Sequence, residues 1–132
     1  MNNYFKLSVI VLTMAISAMF ASVSVAAEVM RATCDAGAYG VLEGQLFNPT
    51  SLSAEVDYNP DRAYLKIKCD IVNSAGTTIL SDSHRGEDGR TGLSWMFERP
   101  DGAYRTYGAH AVQGGSVNRA YAVYTTMSAE RG

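Results

Sequence analysis

From Ala63 to Ile71 apolar and polar side chains alternate: Ala63, Leu65, Ile67, Cys69 and Ile71 against Tyr64, Lys66, Lys68 and Asp70. A period of two belongs to a strand with one buried and one wetted face, which places Cys69 on the core side. Asn73-Ser-Ala-Gly76 reads as a turn, and Thr77 to Ser81 as a short strand returning antiparallel. Upstream, Gly40 to Phe47 and Leu52 to Tyr58 are further strands, each closed by an Asn-Pro pair. Downstream, Gly92 to Glu98 carries Leu93, Trp95 and Phe97 on one face, which assigns Trp95 to the core. Arg99-Pro-Asp-Gly102 is a strong turn signal, predicted to fold Tyr104 to Val112 back as the hairpin partner of 92–98. Gln113-Gly-Gly-Ser116 is the next turn, Asn118 to Met127 the last strand, and Ser128 to Gly132 is expected to fray.

No stretch after residue 27 sustains a 3.6-residue apolar period. About seven or eight short strands punctuated by turn residues read as one small all-β domain, an immunoglobulin-like antiparallel β-sandwich. A small closed β-barrel is the alternative.

The segment before that domain has a different pattern. Lys6 follows the amino terminus, Leu7 to Phe20 is almost continuously apolar, and Ala21-Ser-Val-Ser-Val-Ala-Ala27 is built of small residues. Basic start, short apolar centre and small-residue exit make a secretory signal peptide over 1–27, with cleavage after Ala27. An uncleaved anchor is the alternative, but a span needs about 20 apolar residues, and Ser17, Ser22 and Ser24 dilute this stretch. The domain at 28–132 is therefore expected outside the cytoplasm, periplasmic or secreted, with no membrane insertion after signal removal.

Export changes how the cysteines are read. Cys34 and Cys69 are the only two, and in an oxidising compartment an even count is expected to pair. Neither the Cys-x-x-Cys spacing of redox sites nor a four-ligand zinc set is present. Loss of Lys6 with the signal leaves 10 basic and 13 acidic residues, a net charge of −3. Nucleic acid, which demands a basic stripe, is not an expected partner.

Chemistry is sparse. Nucleophile-elbow, zinc-protease, P-loop and dinucleotide signatures are missing from the sequence, and no cofactor, metal or catalytic residue is expected. His110 reads as a half-buried strand residue on the face of Tyr104, Thr106 and Val112. His84 reads as solvated, within a polar loop from Asp82 to Gly92 that also holds Arg85, Glu87 and Asp88. Either histidine could serve a small secreted hydrolase, the least favoured reading. Recognition has better material. By alternation Tyr107 shares a face with Arg105 and Ala109, and Tyr124 with Ala120 and Ala122. A large flat ring beside small neighbours suits a binding surface. Tyr107, Tyr124, Arg105, His84 and Arg85 are thus the predicted surface of a non-catalytic binding module for a protein or glycan.

Ala32-Thr-Cys34 and Lys66-Ile-Lys-Cys-Asp70 resemble the two cysteine segments of chaperone–usher pilus subunits, which are incomplete immunoglobulin-like domains completed by a donated strand. The resemblance covers these short segments alone, and the chain end, Thr126 to Gly132, lacks that family's aromatic next to last. It implies a structural, adhesive subunit of a surface fibre as the second reading.

Overall fold

The computed structural model describes residues 29–116 and 118–131; the expected signal peptide at 1–27 lies outside the described residues. Eight strands follow in order: β1 (Val29–Asp35), β2 (Val41–Phe47), β3 (Ser51–Val56), β4 (Tyr64–Asn73), β5 (Thr78–Arg85), β6 (Gly92–Met96), β7 (Gly102–Gln113) and β8 (Tyr121–Arg131). One 3-10 turn, Gly37–Tyr39, links β1 to β2. The first sheet has the order β1-β2-β3-β6 and the second β5-β4-β7-β8, with every pairing antiparallel. Among the described residues no strand pairing joins the two sheets, so the arrangement is a β-sandwich and not a closed barrel.

The alternation along each strand builds the core. Leu42 and Leu46 of β2, Leu52, Ala54 and Val56 of β3, and Leu65, Ile67, Cys69 and Ile71 of β4 meet Val112, Val123 and Met127 from β7 and β8. At the centre His110 crosses between the sheets. Its Nδ1 lies 2.7 Å from the Ser53 carbonyl and its Nε2 2.7 Å from Thr125 Oγ1. A carbonyl only accepts, so Nδ1 carries the proton and Nε2 accepts from the threonine hydroxyl. Glycine opposite makes the room, since a Cβ at Gly44 would lie 2.3 Å from the imidazole Cγ. At one end the Tyr39 hydroxyl donates to Asp61, at 2.8 and 2.9 Å from its two carboxylate oxygens, and the ring meets Tyr121 edge-on.

The structure corrects several sequence expectations. The 92–98 strand and Tyr104–Val112 are not hairpin partners. β6 pairs with β3, β7 pairs with β4 and β8, and Arg99 to Asp101 carries the chain from one sheet to the other. Trp95 is not a core residue but is 48% exposed. It points inward, opposite buried Leu52, from an edge strand, and covers the flank of the sandwich by stacking on His84 with ring centroids 3.7 Å apart. His84 is correspondingly not in a solvated loop, because β5 runs on through Arg85. The expected fraying end is strand as far as Arg131.

The expected Cys34–Cys69 disulfide is absent, and both thiols are free. Cys34 lies on β1, which packs opposite β8, whereas β4 lies opposite β3 and β6. In the second sheet β7 separates β4 from β8. Two strand spacings of about 4.8 Å and a sheet separation of about 10 Å put the cysteines well beyond the roughly 4–7 Å between Cα atoms that a disulfide spans. Burial first, then Asp70 and Asp82, pushes the Cys69 thiol up to about 12; burial and then Asp35 raise Cys34.

Candidate ligand-binding face

The outward face of the second sheet is assembled by register. Lys66 of β4 pairs with Arg85 of β5 and Ala111 of β7, and Ala111 in turn with Ala122 of β8. The next outward row runs Ser83, Lys68, Ala109 and Tyr124, and the one after it Ser81, Asp70, Tyr107 and Thr126. Arg105 and Ser128 follow. Partners across a ladder share a face, so one surface carries Tyr107, Tyr124, Arg105 and Arg85, four of the five residues predicted for it. His84 is the exception. It is the inward neighbour of Arg85 on β5, paired with buried Ile67, and it is occupied by Trp95.

Ala109, Ala111 and Ala122 form a low floor in the middle of this face. Tyr107 and Tyr124 occupy diagonal positions beside it, 48% and 72% exposed, as no packing requirement would leave them. The cations around them are held at different tensions. Arg105 Nη1 donates to Thr126 Oγ1 at 3.2 Å. The Arg85 guanidinium sits 3.6 Å above the centre of the Tyr64 ring and reaches Asp88 at 2.7 Å. Tyr64 accepts from Gln113 Nε2 at 2.7 Å, which holds the ring in place for the cation. Lys68 pairs with Asp70 at 3.5 Å with half of its side chain still exposed, and exposed pairs of this kind contribute little stability.

Sign of charge separates the two outward faces. The second sheet presents Lys66, Lys68, Arg85 and Arg105 against Asp70 and Glu130. The first presents Asp35, Glu43 and Glu55 against Arg31, whose Nε lies 3.5 Å from Glu43. Register made this separation, and composition concealed it. A shallow groove of about 370 Å³, lined by Val72, Arg105, Tyr107 and Ser128 among others, continues the basic face toward the β4–β5 turn.

A larger groove, about 450 Å³, lies on the first sheet between Phe47 and Met96 over Ser51, Ser53 and Ser94. Sequence reasoning missed it. The outward alternation of Phe47 and Met96 is visible in the sequence, but nothing local says that β2, β3 and β6 are neighbours. Its polar lining is neutral, three serines with Gln45 and no charged side chain, so it cannot select a ligand by charge. The basic face can.

Elsewhere the chemistry is committed to structure. Both His110 nitrogens are used within a fully buried site, so no substrate reaches them. Among the described residues no cluster of histidine, cysteine and carboxylate side chains could hold a metal ion, and no helix is long and apolar enough to cross a membrane. Comparison of the chain with protein-family models, with curated proteins and with solved structures gave no match.

Proposed function

We propose that this protein is an exported, non-catalytic binding module of the cell envelope or extracellular space, with an immunoglobulin-like sandwich as its scaffold. It takes an acidic protein segment or glycan chain across the outward face of β4, β7 and β8. One observation carries the reading: Tyr107 and Tyr124 stand exposed beside an alanine floor, with Lys66, Lys68 and Arg105 around it. Exposed tyrosine supplies contact area at low entropic cost, and the cations select ligand charge. The immunoglobulin-like reading draws support from the connections β3–β4, β5–β6 and β6–β7, each of which crosses between the sheets.

The test is a binding screen of the purified protein against acidic and neutral glycans and envelope proteins, with Tyr107→Ala/Tyr124→Ala and Arg105→Ala variants alongside. Loss of either tyrosine-ring contact or cation is expected to weaken the ligand by about 1–3 kcal/mol, while Met96→Ala on the opposite face leaves it unchanged. A ligand that binds all variants equally would overturn the assignment of this face.

A further inference from the structure

The sandwich has four edge strands, and three are blunted. β6 spans only Gly92–Met96 and is flanked by the Trp95–His84 stack. β5 borders a register shift at Ile71/Val72 and points Asp82 inward, opposite buried Cys69. β1 is seven residues long and carries Arg31 and Asp35. Bulges, inward charges, short length and charged side chains along the edge are devices that keep sheet edges from pairing. β8 has none of them from Tyr121 to Ala129. It runs from Tyr121 to Arg131, in unbroken register with β7, with no proline, no lysine and no charged residue before Glu130.

The orientation of its backbone follows from the ladder. Gly86 N–H donates to the Leu65 carbonyl at 2.9 Å, so odd-numbered residues of β4 face β5 and even-numbered ones face β7. Carried through the registers of β4 with β7 and of β7 with β8, the alternation turns the odd residues of β8 toward β7. The N–H and C=O of Ala122, Tyr124, Thr126, Ser128 and Glu130 therefore face outward. Among the described residues no other backbone bonds to them.

We infer that β8 pairs with β8 of a second copy of this chain, antiparallel about a twofold axis through Thr126. In that register Thr126 meets Thr126, Tyr124 meets Ser128, and Ala122 meets Glu130. Every outward residue finds an outward residue, each pair exchanges both backbone hydrogen bonds, and no like charges are opposed. An isologous contact of this kind closes on itself. With the other edges blunted, the product is a dimer and not a fibre. This inference stands apart from the ligand proposal, although the two basic faces would become one eight-stranded surface.

Sedimentation of the purified protein from low to high micromolar concentration, combined with amide hydrogen exchange, tests it. A dimer is expected, with protection of the Tyr124 and Ser128 amides rising as concentration rises. Ser128→Pro removes an N–H that β7 does not use, so it should keep the β-sheet circular dichroism and sediment as a monomer throughout. Thr126→Lys places two ammonium groups together on the axis and should have the same effect. A wild-type protein that stays monomeric overturns the inference. So does a dimer that leaves those amides unprotected, or one that survives whichever of the two variants folds.

Discussion

At the scale of single residues the molecule is organised around His110 and the glycine facing it. The imidazole links β7 to β3 and β8 by two short hydrogen bonds, and it fits because Gly44 has no side chain. Gly44→Ala should lower stability by about 1–3 kcal/mol, the usual result of overfilling a packed core, read as a fall in the denaturant midpoint. The same site makes stability depend on pH. Burial lowers the proton affinity of His110, and the hydrogen bond to Ser53 offsets this only in part. Between its folded value and the ordinary 6.5, the unfolded chain binds the extra proton and the folded chain does not. Stability is then complete above 6.5, falls as the pH drops through this window, and levels off below the folded value. Thermal unfolding of the wild type should show that slope, and His110→Gln should lack it. In sequence His110 looked like one more alternating strand residue. Its face was legible, but its role was not, because Ser53 and Gly44 come from strands 57 positions or more away in the chain.

Elements were legible wherever the information was local. The alternation at 63–71 matched β4 and its buried face, and the turn at Asn73–Gly76 the β4–β5 hairpin, while Gln113–Ser116 was legible as a turn without the strands it pairs. Tyr107 and Arg105 shared a face as predicted, for the same reason. What failed was strand partnership. The Arg99-Pro-Asp-Gly102 turn has the same chemistry whether the chain doubles back in one sheet or crosses to the other, and the partner of β6 is β3, some 40 residues earlier. Trp95 was misplaced with it, since an inward position on an edge strand is only half covered. The disulfide failed on the same ground: compartment and count favour pairing, but strand order decides distance. With both thiols free, adding reductant should leave the melting temperature unchanged. A native thiol titration should modify part-exposed Cys34 first, and Cys69, buried and pushed up to about 12, only on unfolding. A melting temperature lowered by reductant would contradict this strand arrangement.

On the scale of the whole molecule, two outward faces of opposite sign and the edge of β8 divide the surface into regions of different chemistry. A face that selects acidic ligands should bind them more weakly as salt rises, whereas backbone pairing along β8 should respond little. Placement of β6 has one more consequence, which concerns time. The hairpins β4–β5 and β7–β8 close between near neighbours in sequence, but β6 docks on β3 only after the chain has crossed to the second sheet and returned. Loop closure of that length makes such pairing slow to form. Trp95, the sole tryptophan, rides on β6 and meets His84 only when both sheets are in place. Its emission therefore reports the meeting of the two sheets, so refolding followed by fluorescence should trail the early far-ultraviolet circular dichroism of the local hairpins.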